Sequence, residues 1–183
     1  LVVRFSGGHN AGHTVVVDDK KHVFSHFGSG TLRGAPTYWS KYCTFCPVTL
    51  VNEHKALTEL GVNPKIYIDG MCPITTYWDV LYNQALERTR KDFNQAHGSV
   101  GVGFGTTIER HTESPYKLYA QDILYPKVFD QKLKKIEEWY KNKLVNVTAL
   151  SYAKFDTQKA HEDFMSACKN AIGLIEITNE NNL

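Results

Sequence analysis

The spacing of hydrophobic and polar residues predicts short strands in the first part of the chain. LVVRF, residues 1 to 5, is a nearly continuous apolar run and predicts a buried strand. In HTVVVDDKKHVFSHF, residues 13 to 27, two apolar stretches flank the polar turn Asp18 to Lys21, which predicts a hairpin of two strands. KIYID, residues 65 to 69, predicts one further short strand.

Helical spacing dominates much of the remaining chain. Pro47 is placed to open a helix that Gly61 can end, because proline is favoured in the first turn and glycine just beyond the last. A second helix is predicted from about Thr75 to Phe93, and two more follow Pro126, so the C-terminal third is expected to be helical. The apolar residues that mark these four helices are Leu50, Val51, Leu57 and Leu60; Val80, Leu81, Ala85 and Leu86; Phe129, Leu133, Ile136, Tyr140 and Leu144; and Phe164, Ala167, Cys168, Ala171 and Ile172.

Two glycine-rich stretches interrupt this pattern. GGHNAGHT, residues 7 to 14, has neither a helical apolar face nor strand alternation, and its glycines permit backbone angles closed to other residues. HGSVGVGFGTT, residues 97 to 107, is too rich in glycine for regular structure. We call them the first and second glycine loops and expect both to bind ligands. Strands and helices separated by such loops favour one α/β domain over residues 1 to 183, with ligands at strand ends.

Composition limits the partners of the chain. Lys and Arg outnumber Asp and Glu by 21 to 19, and a net charge of +2 is too small to hold nucleic acid or a membrane by bulk charge. No apolar run approaches the roughly 20 residues of a membrane helix. We therefore expect a cytoplasmic protein that binds anions locally. Because Met71 and Met165 are the only methionines, we also expect a fragment or a processed chain.

The four cysteines include one close pair. Cys43 and Cys46 form CTFC, and the others are Cys72 and Cys168. A zinc site would need two more ligands at matching spacing, and neither a second C-x-x-C nor an H-x-x-x-H follows. Reduced, partly buried thiols are the better interpretation.

The first glycine loop combines groups that suit a nucleotide. Its glycines allow the backbone to approach an anion, Asn10 can bond an amide-like edge, and His13 can supply or hold a proton near neutral pH. A tight turn with two histidines facing solvent is the competing interpretation. His9 and His13 could also hold a metal, but no carboxylate accompanies them in the loop.

The second glycine loop does not match the common nucleotide motifs. Its string GVGFG is not G-x-G-x-x-G, and no Lys-Ser or Lys-Thr closes it as in a Walker loop. Its backbone amides and the hydroxyls of Ser99, Thr106 and Thr107 could cradle a phosphate. A glycine bend with a purely structural role is the alternative.

These residues together resemble a known family. VVRFSGGHNAGHTVVVDDKKHVFSHFGSGTLR is similar to the adenylosuccinate synthetases, which carry V-V-R-(F or Y)-x-G-G-x-N-A-G-H-T. The resemblance continues through residues 71 to 90, 98 to 105 and 118 to 124, and through the helix containing FDQKLKKIEEWYKNKLVN. It is strong to about residue 125 and looser beyond. It implies part of a P-loop-like α/β fold with a mixed or parallel sheet, flanking helices and a helical C-terminal third.

The resemblance also implies an activity and the residues that perform it. The family uses a nucleoside triphosphate, here ATP or GTP, to phosphorylate the 6-oxygen of a purine monophosphate, which L-aspartate then displaces. It implies that His13 is the catalytic acid, and that the carbonyl of Gly12 is a ligand of Mg²⁺. Asn10 and Ala11 would contact the purine nucleotide, while Gly12, His13 and Thr14 would border the triphosphate. A homodimer is expected by the same analogy.

Parts of the family pattern are absent or changed. The N-terminal phosphate loop would precede Leu1 and the base-reading and aspartate-binding motifs would follow Leu183, so we expect the isolated chain to be catalytically incomplete. Gly28-Ser29-Gly30 stands where the cellular enzymes read P-S-G, and Ser99 to Thr106 where they read T-T-G-R-G-I-G-P.

Four positions in and near the second glycine loop bear on the substrate. Ser99 keeps a hydroxyl, Val100 replaces a phosphate-binding Thr, and Val102 replaces an Arg. Arg110 is the nearest candidate for the Arg that reaches the nucleotide of the partner subunit. These changes favour the phage-type branch of the family, which uses dGMP and makes 2-amino-2′-deoxyadenylosuccinate. IMP is the alternative substrate, and a non-catalytic nucleotide-binding fragment is the alternative function.

Overall fold

A four-stranded parallel sheet forms the centre of the fold. The computed structural model describes residues 1–92, 98–145, 147 and 155–182. The sheet contains β1 (Val2–Arg4), β4 (Thr37–Trp39), β5 (Ile66–Asp69) and β6 (Ile175–Thr178) in the spatial order β1-β4-β5-β6. A separate antiparallel hairpin joins β2 (His13–Val17) to β3 (Lys20–Phe24) and turns at Asp18 and Asp19. The predicted α/β class and the predicted hairpin are confirmed.

Five α-helices accompany the sheet in the described part of the chain. They are α1 (Pro47–Glu59), α2 (Tyr77–Asp92), α3 (Phe104–Glu113), α4 (Pro126–Leu144) and α5 (Thr157–Ile172). Short 3₁₀ turns occupy Ser29–Arg33, Ala120–Leu124 and Glu180–Asn182. The four predicted helices are confirmed, although Phe93, the predicted end of the second, lies outside the described residues.

The core forms where α1, α2, α4 and α5 pack together with the sheet. Trp39 of β4, Leu50 of α1, Ile136 of α4 and Phe164 of α5 are all at most 1% exposed. The five apolar residues predicted to face inward from α4 are all buried. This burial explains why the helical period was visible in the sequence, since each inward position must be apolar.

Three predictions about local structure were wrong. β1 is not buried: it is an edge strand among the described residues, with Val3 51% exposed, and Phe5, which directly follows it, is 70% exposed. The second glycine loop is irregular only up to Gly103, which has a positive φ, and α3 begins at Phe104. The C-terminal third is not helical throughout, because residues 175 to 178 form β6 against β5.

The segments that follow the parallel strands lie side by side at the carboxyl edge of the sheet. The Thr44 amide donates to the Gly7 carbonyl at 3.0 Å, and the Phe45 amide donates to Pro73 at 2.8 Å. The Thr75 amide donates back to Phe45 at 2.8 Å. These backbone bonds hold the start of the first glycine loop against the segments that follow β4 and β5, at the edge where ligands bind in open α/β sheets.

Candidate functional site

The first glycine loop presents a continuous exposed stretch from Asn10 to Thr14, ending in β2. His13 and Ala11 line a cavity of about 250 Å³ together with the end of β1 and residues 5 to 8. His13, the predicted catalytic residue, is therefore accessible beside a concave surface. Asn10, Gly12 and Thr14, the other residues predicted for this site, are exposed on the same stretch.

Arg4 lies in the same cavity and was not singled out from the sequence. Its Nη1 donates to the Ser25 carbonyl at 3.1 Å, and its guanidinium carbon lies 4.8 Å from the centre of the Trp39 ring. These contacts fix a positive charge at the end of β1, beside His13. The signal that could have identified Arg4 in the sequence is an arginine within an otherwise apolar strand.

The two glycine loops touch each other. The ring Nε2 of His9 lies 3.1 Å from the carbonyl oxygen of Val102, and His9 is 7% exposed. A Cβ on Gly8 would lie 2.5 Å from both Phe104 Cδ2 and Thr44 Oγ1, so only glycine allows this close approach. The structure thus brings together two stretches that the sequence analysis considered separately.

The buried carboxylate of Glu53 holds residues 25 to 27, which in turn contact the first glycine loop. Glu53 of α1 accepts hydrogen bonds from the backbone amides of Ser25, His26 and Phe27 at 2.9, 2.6 and 3.3 Å. Burial alone would raise the pKa of Glu53, but the hydrogen bonds that its carboxylate accepts from His26 and Ser25 outweigh burial and lower that pKa. The Ser25 hydroxyl in turn donates to the His9 carbonyl at 2.8 Å.

The rings of His9 and His26 stack on each other, and both are neutral near pH 7. Their centroids are 5.5 Å apart with planes 7° from parallel. Nε2 of His26 accepts from the Cys46 amide at 3.2 Å, and burial lowers the pKa of His26 despite the nearby Glu53 carboxylate. Burial, assisted by His26, lowers the pKa of His9 to about 4, although the bond to Val102 acts in the opposite direction.

The second glycine loop leaves two of its predicted residues accessible. Ser99 and Val100 are exposed, Val100 by 73%. Asn83 of α2 holds the Ser99 hydroxyl through an Nδ2–Oγ contact of 3.1 Å, and Asn83 Oδ1 accepts from the Gly103 amide at 3.2 Å. His97, the first residue of this stretch, lies outside the described residues.

The hydroxyls of Thr106 and Thr107 do not form the predicted phosphate cradle. Both side chains are buried, at 4% and 0% exposed. Thr106 donates to the Asp79 carbonyl at 2.8 Å, and Thr107 donates to the Thr75 hydroxyl at 2.9 Å. They attach the start of α3 to the start of α2, which is a structural role.

Arg110 is not placed to reach a nucleotide. It is 0% exposed and bonds both carboxylate oxygens of Asp79 at 2.9 Å. Its other contacts are the carbonyls of Ile74 and Tyr116, each at 2.8 Å. The side chain is thus committed to the interior of this chain, in contrast to the predicted contact with substrate.

An apolar cavity of about 340 Å³ lies on the other side of the second glycine loop, among α1, α2 and α5. His9 lines it from the first loop, Val100 to Val102 from the second, and Phe164 from α5. His9 therefore lines this cavity although it belongs to the same loop as His13.

The described residues contain no cluster of three or more His, Cys, Asp or Glu that could hold a metal ion. The predicted magnesium contact is a single backbone carbonyl, that of Gly12, on an exposed residue. One oxygen fits a magnesium ion that takes its other ligands from water and phosphate, as magnesium commonly does. All four cysteines are buried free thiols.

The fold and its loops define an α/β protein of the class that places ligands at the carboxyl edge of a parallel sheet. The adenylosuccinate synthetase family model matches residues 1–180. The chain is 32% identical over 177 residues to the adenylosuccinate synthetase of Proteus mirabilis, covering 95% of this chain and 40% of the relative. It is 34% identical over 147 residues to that of Blochmanniella pennsylvanica, covering 79% and 33%. This chain belongs to the adenylosuccinate synthetase family.

The structural comparison agrees with the family assignment at the level of the fold. The structure of fully ligated adenylosuccinate synthetase from Plasmodium falciparum matches 95% of this chain and 39% of that chain, with a TM-score of 0.76 and 19% identity. The chain thus spans 33 to 40% of the length of these relatives. No helix in the described residues is both long and apolar enough to span a membrane.

Proposed function

We propose that this chain forms part of a ligase that joins L-aspartate to carbon 6 of a purine nucleoside monophosphate. The γ-phosphate of ATP or GTP is transferred to the 6-oxygen, and the aspartate amino group then attacks carbon 6 and displaces that oxygen as inorganic phosphate. Family membership supports this activity. The observation that carries it is the exposed His13, which lines a cavity at the carboxyl edge of the sheet within the first glycine loop.

His13 acts as a proton donor to the 6-oxygen in this proposal. The oxygen gains negative charge as the purine is activated, and an imidazolium beside it stabilises that charge. Asn10 and Ala11 contact the purine nucleotide, and Gly12 and Thr14 border the triphosphate. The continuous exposure of residues 10 to 14 supports these roles, since one ligand can reach all of them.

A magnesium ion bound with the triphosphate supplies charge neutralisation for phosphoryl transfer. In this chain the Gly12 carbonyl is the group that would contact it. In the second glycine loop, Ser99 and the backbone around Val100 bind the phosphate of the purine monophosphate in this proposal. Their exposure on the loop that His9 joins to the first one supports this arrangement.

We propose dGMP as the purine substrate and IMP as the alternative. Val100 and Val102 support dGMP, because they depart from the Thr and Arg of the cellular pattern described above. Single-turnover phosphoryl transfer should be measured with dGMP and with IMP, using protein expressed from its complete coding sequence. Faster transfer to dGMP is expected, and a clear preference for IMP would contradict this choice.

Replacement of His13 tests the proposed chemistry. His13→Ala should lower kcat about 10²- to 10⁴-fold, because a positioned proton donor is lost. The dissociation constants of the nucleotides should change little, and His54→Ala on α1 serves as the control with full activity. A nucleotide-binding module without chemistry would instead show no ligase turnover in the wild type and lose only affinity on replacement of His13.

A further inference from the structure

One buried side chain, His9, joins the two glycine loops. We propose that His9 is a positioning residue that holds the catalytic His13 of the first loop in register with Ser99 and Val100 of the second. The inference rests on the ligase function proposed above and adds a residue whose effect on catalysis is indirect. The side chain of His9 is buried and does not line the cavity that His13 lines.

The contact between His9 and Val102 is directional. A carbonyl oxygen only accepts, so Nε2 of His9 must carry the proton that it donates over 3.1 Å. The other ring nitrogen, Nδ1, is buried without a hydrogen-bond partner among the described residues. The single bond to Val102 therefore determines both the tautomer and the orientation of the ring.

The ring of His9 is also held from the opposite side. Its face stacks on His26 at 5.5 Å, and its carbonyl accepts from the Ser25 hydroxyl at 2.8 Å. His26 is fixed in turn by the Cys46 amide at its ring and by Glu53 at its backbone. His9 thus transmits the position of a rigid, buried network to the second glycine loop.

The geometry links this network to the candidate site. Only residues 10 to 12 separate His9 from His13, and they have no buried side chain to anchor them independently. The adjacent Gly8 contacts Phe104 of α3 by packing, which constrains direction less than a hydrogen bond does. Without the bond, the spacing of the two loops would relax, and displacements of about 1 Å can reduce turnover about 100-fold.

Two replacements distinguish the effect of the hydrogen bond on activity from the effect of the size of the ring. His9→Phe keeps an aromatic ring but removes the donor, whereas His9→Gln removes the ring but keeps an N–H at a similar reach. In protein expressed from its complete coding sequence, His9→Phe should lower kcat about 10- to 100-fold and raise KM for the purine monophosphate, with KM for the triphosphate unchanged. His9→Gln should recover most of the lost rate. His54→Phe on α1, where the histidine ring contacts Phe27 and Thr58 and no described residue of either glycine loop, is the matched control and should keep the wild-type rate.

A spectroscopic readout tests the coupling apart from the activity. In protein labelled with ¹⁵N, the His9 ring should show the Nε2–H tautomer, and the amides of Gly101 and Gly103 should shift in His9→Phe but not in His9→Gln. If the protein has no ligase activity, the proposed function fails, while these shifts still decide whether the loops are coupled. Coupling without any change in kcat for His9→Phe would overturn the positioning role. Equal losses in both variants would overturn it as well, because the ring rather than the hydrogen bond would then matter.

Discussion

Asp79 and Arg110 form a fully buried ion pair, with both side chains 0% exposed and two N–O distances of 2.9 Å. The carboxylate also accepts from the Tyr140 hydroxyl at 2.6 Å and from Thr76 at 2.7 Å. The pair therefore connects α2, α3 and α4. Because α3 begins directly after Gly103, this network also fixes one end of the second glycine loop.

Replacement of Arg110 should destabilise the protein rather than weaken ligand binding. Arg110→Met leaves the Asp79 carboxylate buried without its main partner, which typically costs about 3 to 5 kcal/mol. The free energy of unfolding from urea titration measures this loss. The purine monophosphate should retain its dissociation constant under conditions where the variant remains folded.

An exposed ion pair provides the control for Arg110. Lys55 and Glu59 on α1 are 77% and 67% exposed and 3.9 Å apart. Lys55→Met should leave the unfolding transition unchanged, because water screens such a pair. A stable Arg110→Met variant with greatly weakened nucleotide binding would instead indicate that Arg110 contacts the nucleotide.

The hydrogen bonds of the Glu53 carboxylate should also be sensitive to a small change. Glu53→Gln replaces one acceptor oxygen with an NH₂ group that faces a backbone donor among Ser25 to Phe27, which we expect to cost about 1 to 3 kcal/mol. Hydrogen exchange of these three amides should accelerate more than exchange in β5. Glu59→Gln, at an exposed position of the same helix, is the control. Unchanged protection of the three amides would show that Glu53 does not hold this segment.

The helices and the hairpin could be predicted because their signals are local. Ile136 and Tyr140 of α4 fill the core, so large hydrophobic residues recur in the sequence with helical spacing. β6 was missed because IEIT is only four residues long and its pairing joins Ile175 to Ile66, which no local pattern records. β1 was expected to be buried because an apolar run does not reveal whether both faces of a strand are covered.

The candidate site likewise has a local part that could be predicted from the sequence and a part built from distant residues that could not. Residues 10 to 14 are contiguous, so they could be grouped into one candidate site without knowledge of the fold, whereas their exposure is shown only by the structure. The contact between His9 and Val102 joins residues 93 positions apart, and it depends on how α3 packs against the first glycine loop. The sequence showed that Arg110 was present but not that Asp79 would lie opposite it, since that pairing arises from packing between helices.

Stability should fall as the pH is lowered, in part because of His9. Its pKa is lowered from 6.5 to about 4, mainly by burial, so the unfolded state takes up a proton below pH 6.5 while the folded state does not until about pH 4. His9 contributes no pH dependence above that range, and within it the loss grows to at most about 3 kcal/mol. The titratable groups around the ring include His26, stacked on it, and Glu53 behind His26. Asp163, Cys46 and Tyr77 line the same cavity as His9.

Comparison of two proteins isolates this effect. Urea unfolding at pH 7 and pH 4.5 should be measured for the wild type and for His9→Gln, which cannot titrate. The other groups contribute to both proteins and largely cancel in the difference. The wild type should lose more stability between the two pH values than His9→Gln does. Equal losses would mean that His9 is protonated in the folded state at a pH near its ordinary value.

Two glycines two residues apart should respond to the same substitution in opposite ways. Gly103 has φ +83°, and a Cβ there would lie 2.9 Å from the backbone nitrogen of Val80. Gly103→Ala therefore combines backbone strain with a clash against α2, and should cost about 1 to 3 kcal/mol. Gly105 lies in the first turn of α3 with open space around its Cα, so Gly105→Ala should stabilise the helix by up to about 1 kcal/mol. Thermal unfolding of the two variants measures both signs, and destabilisation by Gly105→Ala would place this residue outside the helix in solution.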